Sequence, residues 1–331
     1  MTIRVMQWLL PLAALMVVSG CAYRHEGLDR GLDFAQRRFS AMPAMSVPRD
    51  NPPSPETIAL GRDLFTDKRL SVDGTQSCGT CHQAEFAYGD GVARAMGRSG
   101  APLPRHTPNL INVGYAKALF WDGRAATLEE QALAPIINPE EMGRHPGSAV
   151  DGIRDDAGYR VRFARAFPRD PTINERNVLR ALAAYQRTLV SGRAPFDRWI
   201  AGDPAAISPA AQRGFAVFAG PGNCASCHSS ALLSDGKFHD IGLPSADRGR
   251  GGVTGRRRLD FRFRTPTLRE IGRSAPYMHD GSLPTLAAVV DHYSETVIAR
   301  GATRPVHLGA QEKRDLVAFL QTLNTDTDTD R

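Results

Sequence analysis

The chain has 331 residues, 42% hydrophobic and 23% charged, with 31 glycines and 23 prolines. That suits one large or two medium globular domains and excludes a disordered chain, a collagen-like chain and a coiled coil. The formal charge of +6 comes from 41 Lys and Arg against 35 Asp and Glu. The basic residues are spread along the chain, so the charge demands no anionic partner. Only 7% of residues are aromatic, a modest core for this length, and there are five cysteines, an odd number that no pure disulfide framework uses.

Residues 1–20 read as a signal. Arg4 is their one charge, and the apolar stretch Trp8 to Val18 is too short for a stop-transfer helix. It ends in Val18-Ser19-Gly20-Cys21, which resembles a bacterial lipobox. Cleavage before Cys21 with a lipid on its thiol is the expectation. An ordinary secretory signal with a chance Cys, or an uncleaved anchor, are the alternatives. Ala22, in place of Asp, favours the outer membrane over inner-membrane retention. The body should then hang in the periplasm, touching membrane through its lipid alone and meeting no nucleic acid. Removing the signal takes out Arg4 and lowers the charge.

Residues 21–53 include Pro43, Pro48, Pro52 and Pro53 and read as a semi-extended tether. Ser54-Pro55 then caps a helix carrying Ile58, Leu60, Leu64 and Phe65. Thr127-Leu-Glu-Glu130 and Thr172-Ile-Asn-Glu175 are capping-box patterns, the second opening a helix striped by Val178, Leu182, Tyr185 and Leu189. Ser208-Pro209 starts a helix ending at Gly220; Leu286, Val289, Val290 and Tyr293 share a face, as do Leu316, Leu320 and Leu323. No segment alternates as a strand. The Thr-Asp repeat in residues 325–331 reads as a frayed tail.

The remaining cysteines form Cys78-Gly-Thr-Cys81-His82 and Cys224-Ala-Ser-Cys227-His228, both C-x-x-C-H. Two thiols at this spacing reach the two vinyl groups of one haem, and the adjacent His supplies the proximal iron ligand. A thioredoxin-like pair or half a zinc site calls for no His directly after the second Cys. Two haem c groups follow, 146 residues apart. The fold expected is all-α, two cytochrome c-like domains of 54–200 and 201–324, each with one covalently attached haem. Two porphyrins would account for the low aromatic content.

From about Ala59 to Leu323 the chain resembles the bacterial di-haem cytochrome c peroxidase/MauG family. The resemblance rests on the two haem motifs, Phe120-Trp-Asp-Gly-Arg-Ala125, Glu130-Gln131-Ala132, Glu141-Met142, Thr265-Pro-Thr-Leu-Arg269 and Ala275-Pro-Tyr-Met-His-Asp-Gly281. It implies that Glu141 moves a proton during O–O cleavage, that Gln131 orients the peroxide, that Pro135 shapes the distal wall and that Trp121 lies between the haems. The plain alternatives are a packed core indole for Trp121 and, for Glu141 beside Glu140, a solvated acidic turn. A loop His caps the first haem in many of these peroxidases; here the matching residue is Arg98, which implies an open first iron. His106, the nearest alternative ligand, stands where the family has an Asn that helps bind calcium. That argues against calcium, although carbonyls near Ser274 and Pro276 would still serve. At the second haem, Tyr293 stands where the cytochrome-oxidising members have Met and MauG has Tyr. A phenolate favours Fe(III), a thioether Fe(II). Tyr293 is also the fourth residue of an apolar stripe, and Met278, His292 and His307 are weaker candidates.

The resemblance implies a peroxidase that reduces hydrogen peroxide with electrons from a small periplasmic donor, a cytochrome c or cupredoxin. The rival readings are a MauG-like oxidase that uses a high-valent state on a protein substrate, and a non-catalytic di-haem electron carrier. The resemblance also implies a homodimer. Arg248 to Arg258 is basic and Gly-rich, either a docking loop for an acidic partner or a solvated loop.

Overall fold

The computed structural model of the protein describes residues 33–39, 42–297 and 304–326. The signal over 1–20 and Cys21 lie outside the described residues, as do residues 327–331. The described chain is mostly helical: α1 (33–39), α2 (Pro55–Thr66), α3 (Cys78–Cys81), α4 (Leu128–Ile137), α5 (Ala157–Ala166), α6 (Glu175–Gln186), α7 (Pro195–Ile200), α8 (Pro209–Ala219), α9 (Arg250–Thr254), α10 (Leu286–Asp291) and α11 (Ala310–Gln321). One small antiparallel pair, which the sequence pattern did not announce, joins β1 (Phe238–Asp240) to β2 (Arg262–Arg264), with Phe238 opposite Arg264. Three residues are too few for an alternation to be read.

The caps follow side-chain chemistry. The Ser54 hydroxyl accepts from the Thr57 amide, and Thr57 Oγ1 accepts from the Ser54 amide. Thr127 opens α4 by accepting from the Glu130 amide at 3.1 Å. α6 differs from expectation: its cap is Asn174, which accepts from the Asn177 amide at 2.8 Å, while the Thr172 hydroxyl donates to Asp170 at 2.7 Å. The nearby carboxylate draws off the hydroxyl, and Asn is as good a cap.

Two hydrophobic cores result. The first contains Leu60, Leu64, Phe65, Ile136, Val178 and Leu182; the second contains Phe196, Phe215, Phe218, Leu316, Phe319 and Leu320. Each is built on one close helix crossing that requires glycine. A Cβ on Gly61 of α2 would stand 2.0 Å from the Ala181 carbonyl oxygen of α6, and one on Gly214 of α8 would stand 1.9 Å from the Asp315 carbonyl oxygen of α11. The second core also draws in chain from before residue 201. Phe196 and Trp199 of α7 belong to it, and so does Phe39 of α1, fully buried with its ring 5.9 Å from Phe196 and 5.8 Å from Phe215. The segment expected as a tether is therefore fastened at two points: Phe39 sits in the second core, and the Asn51 amide donates to Glu129 at 2.6 Å and to the Arg180 carbonyl at 3.1 Å. The start of the tail is held too, because the Thr325 amide donates to Glu270 at 2.9 Å.

Two matching turns join the halves. Leu119 bridges Ala125 around Phe120-Trp-Asp-Gly123, and Tyr277 bridges Leu283 around Met278-His-Asp-Gly281. Phe120 and Met278 share positive φ (64° and 74°), as do Gly123 and Gly281 (68° and 66°). Each glycine presses on the opposite half: a Cβ on Gly123 would lie 2.3 Å from the Phe238 ring, and one on Gly281 2.2 Å from the Ala93 carbonyl oxygen. Trp121 and His279 hold equivalent places in the two turns.

Gly214→Ala forces α8 and α11 apart and is expected to lower stability by about 1–3 kcal/mol. Gly252→Ala, whose nearest neighbour would be Arg248 Cβ at 3.5 Å, should change little. Thermal unfolding of both variants with haem attached tests this, and equal midpoints would remove the close-crossing argument.

Candidate active site

The first C-x-x-C-H motif is itself the short helix α3, closed by a reciprocal cap in which the Ser77 amide donates to Thr80 Oγ1 at 3.0 Å. The His82 amide donates back to the Cys78 carbonyl at 2.9 Å, which turns the ring out of the helix, and Nδ1 lies 2.7 Å from the Tyr88 carbonyl. A carbonyl only accepts, so Nδ1 carries the proton and Nε2 keeps its lone pair. Burial lowers the His82 pKa and keeps the ring neutral. It also pushes the Cys78 thiol up to about 12 and Cys81 up to about 11, the reverse of the low-pKa thiolate a dithiol redox centre needs.

Cys78, Cys81 and His82 line a partly open cavity whose other lining residues include Gln131, Pro135 and Glu141. Gln131 and Pro135 are one helical turn apart on α4, so they face the same way. After α4 the chain folds back on the helix end: the Met142 amide donates to the Pro135 carbonyl at 3.1 Å and the Arg144 amide to Ile136 at 2.8 Å. This turn brings Glu141 to the cavity, where its Oε1 accepts from Asn138 Nδ2 at 2.8 Å. Burial raises the Glu141 pKa above the ordinary carboxylate value, against the opposing pull of the Asn138 hydrogen bond and of Arg124. Glu140 behaves oppositely. It is exposed, accepts from the Ser99 hydroxyl, and has its pKa lowered by that bond.

Arg98 does not line this cavity. Its Nε donates to Asp73 at 2.8 Å and its Nη1 to the Pro139 carbonyl at 3.0 Å, so the loop around residue 98 is fastened to the outer rim. His106 is also elsewhere, with Nδ1 3.0 Å from the Val92 carbonyl and 3.2 Å from that of Ala93.

The second motif repeats the design on a 3₁₀ turn, Cys224–Ser226. The His228 amide donates to the Cys224 carbonyl at 2.9 Å and Nδ1 lies 2.9 Å from the Leu233 carbonyl, so Nε2 is again the free donor. Tyr293 lies in a π-helical turn, His292–Thr296, that continues α10; such turns occur often at functional sites. Burial pushes its phenol above the usual range, with a further push from Cys224 and Cys227, which places the hydroxyl near the motif thiols. The rival positions are occupied otherwise. His292 Nε2 lies 2.8 Å from the Ile241 carbonyl and Nδ1 3.2 Å from Thr296 Oγ1; His307 is exposed, and Met278 packs against the second core.

Trp121 lies outside the lining of the first cavity and is held by both halves. Its Nε1 donates to the His106 carbonyl at 2.8 Å, and its own carbonyl accepts from the Arg264 amide at 2.8 Å. Next to it, Arg105 bridges Asp122 at 2.5 Å and Asp247 at 2.7 Å across the seam. Sequence reasoning missed Asn138, Arg105 and Arg264. It also missed His239 and Asp235, whose ligand atoms cluster with Cys227 within 4.8 Å. Of these, only Asn138 had a local signal, its place three residues before Glu141.

A family profile described as di-haem cytochrome c peroxidase matches residues 55–205, and one described as cytochrome c matches residues 211–324. Methylamine utilization protein MauG of Methylorubrum extorquens is 42% identical over 97% of this chain and 97% of its own length. The chain belongs to the di-haem cytochrome c peroxidase/MauG family. Cytochrome c551 peroxidase of Pseudomonas aeruginosa is 32% identical over 96% of this chain and 92% of its own. A crystal structure of a MauG-like protein associated with microbial copper homeostasis superposes with a TM-score of 0.79, at 38% identity, over 86% of this chain and 94% of that one. Two c-type haems go with this family, and the donor sets fit them: two free thiols and one imidazole Nε2 in each half.

Asn138→Leu removes the hydrogen bond that favours ionised Glu141, so the Glu141 pKa should rise further. If the ionised carboxylate is the active form, the acid limb of kcat/KM against pH moves to higher pH. A limb that stays in place would separate Asn138 from the chemistry.

Proposed function

We propose that the protein reduces hydrogen peroxide to water at the first site, drawing two electrons from a periplasmic donor protein. The observation that carries this reading is Glu141, a desolvated carboxyl with a raised pKa that lines the same cavity as His82. The haem supplies a redox-active iron that accepts a peroxide oxygen when bound. Glu141 Oε1 is engaged by Asn138, which leaves Oε2 to take the proton from the inner peroxide oxygen and return it to the outer one. The Gln131 amide holds the outer oxygen in line, and Pro135 keeps the wall apolar. A positioned acid–base of this kind contributes typically 10²–10⁴ in rate. Two electrons and two protons per peroxide release two waters. Trp121, bonded to both halves, offers an oxidisable ring on the way between the sites.

A second reading is favoured by Tyr293 and Arg98. A phenolate ligand stabilises ferric iron and makes the second site a poor acceptor from a high-potential donor. The guanidinium of Arg98 is bound to Asp73 and Pro139 on the rim, so the loop offers no imidazole cap that reduction would have to release. Both features suit an enzyme that reacts with peroxide in the oxidised form and takes its electrons from a side chain of another protein, as a MauG-like oxidase would.

Further proposals follow from the sequence. The haem-bearing units are 54–200 and 201–324, with the second borrowing α1 and α7 for its core. The body is anchored through lipidated Cys21 on the periplasmic face of the outer membrane; among the described residues no helix is long and apolar enough to cross a membrane. Two such chains pair as a homodimer. Calcium at the seam would be held by backbone carbonyls, because His106 offers nitrogen to a cation that prefers oxygen.

Optical and EPR spectra of the oxidised protein test the first site. A high-spin haem that reacts with peroxide before any reductant is expected, and Glu141→Gln should slow that reaction 10²–10⁴-fold. Two low-spin haems and no reaction would leave an electron carrier. Tyr293→Met should change the spectrum of the second haem and raise its potential; an unchanged spectrum would remove Tyr293 as a ligand.

A further inference from the structure

Three of the most buried arginines among the described residues have carboxylate partners. Arg269 pairs with Asp197 at 2.6 Å, Arg187 with Glu129 at 2.9 Å, and Arg105 with both Asp122 and Asp247. Arg264 departs from this pattern. It ends β2, opposite Phe238, and its main-chain amide holds the Trp121 carbonyl at 2.8 Å. Its guanidinium makes two long contacts, Nε to the Phe120 carbonyl and Nη1 to the Thr265 carbonyl, both at 3.4 Å. Among the described residues no carboxylate forms an ion pair with it. The residue is half-buried by surface, yet its guanidinium is so desolvated that burial alone brings its pKa down to about 10. A charge in a desolvated place is costly unless an anion meets it, and desolvation is the single cause acting on this guanidinium.

The surroundings name the chemistry of the partner. The Thr265 amide donates to the Lys237 carbonyl at 2.8 Å, and the Thr265 carbonyl accepts from Ser234 Oγ at 2.7 Å. Arg264 therefore sits between the chain leaving the second C-x-x-C-H motif and the main chain of Trp121. A haem attached through its vinyl edge carries two carboxylates on the opposite edge, anions of the class that a desolvated guanidinium would take.

We infer that Arg264 is the counter-charge to a haem propionate at the Trp121 seam, a positioning residue that ties one haem to the same strand that holds Trp121. This rests on the two-haem reading above. A carboxylate bonded to a guanidinium in a desolvated site forms a strong charge-assisted pair. The positive charge also favours the reduced iron over the oxidised one, so it raises the potential of the haem it serves.

The test uses full-length protein with both haems attached, counted first by pyridine haemochrome. Fewer than two haems in the native protein would overturn the two-haem reading itself. With two present, midpoint potentials of both haems are measured by spectroelectrochemical titration in native protein, Arg264→Gln and Arg264→Lys. The expected result is a downward shift of one haem in Arg264→Gln, largely reversed in Arg264→Lys, with the other haem nearly unmoved. A shift confined to the spectrum of the Tyr293-side haem assigns the propionate to the second haem, and one confined to the high-spin haem assigns it to the first. Unchanged potentials in Arg264→Gln would overturn the inference. If Arg264→Gln does not mature, resonance Raman of Arg264→Lys replaces it: the propionate bending band of one haem should shift, and a band identical to native would overturn the inference equally.

Discussion

Each motif histidine is held by one hydrogen bond, from Nδ1 to a main-chain carbonyl a few residues on: Tyr88 for His82 and Leu233 for His228. That bond decides the tautomer and leaves Nε2 its lone pair. The cysteine spacing fixes distance along the chain; the carbonyl fixes direction.

The two halves are related in more than their motifs. Each has a close helix crossing at a glycine, Gly61 against Ala181 and Gly214 against Asp315, and each sends an Asp-Gly turn into the other half. Because Gly123 meets Phe238 and Gly281 meets Ala93 at distances that exclude a Cβ, the halves are held in one relative position. Trp121 and His279 then occupy equivalent corners of the same seam, linked through the His106 main chain, which donates to the His279 carbonyl and accepts from the Trp121 indole. Symmetry in the backbone carries asymmetry in the side chains, and the asymmetry is where a direction of electron flow can arise.

Different ligand environments follow. At the first site a desolvated carboxyl and an amide share the cavity with the histidine, a setting for moving protons. At the second, a phenol supplied by a π-helical turn is enclosed near the motif thiols. The strand that holds Trp121 also carries Arg264, a desolvated guanidinium with which no carboxylate among the described residues forms an ion pair. The peroxidase and protein-oxidising readings share the first site and differ in what the second can accept. The electrostatics of the seam therefore bear on the choice between them as much as Tyr293 does.

Much of this was legible in the order of residues. Covalent chemistry is local, so Cys78, Cys81, His82 and their counterparts could be recognised from spacing alone, and the helix starts at Ser54, Thr127 and Ser208 could be read from side chains that reach their own backbone. The α6 start at Thr172 misled because a carboxylate two residues earlier competed for the hydroxyl. The tether was read from its prolines, yet Phe39 and Asn51 fasten it to different halves, and no local pattern reports a contact made more than a hundred residues away. The same holds for Glu141 and Glu140, identical in sequence terms. Only the fold-back of 138–144 onto α4 desolvated one carboxyl and left the other exposed at the cavity's rim, bonded to Ser99. Sequence by itself determined where the two C-x-x-C-H motifs fall, because such a pattern needs only neighbours along the chain. Tertiary structure alone decided which charges are paired, which are desolvated and which face a cavity, because those depend on atoms that only folding brings together.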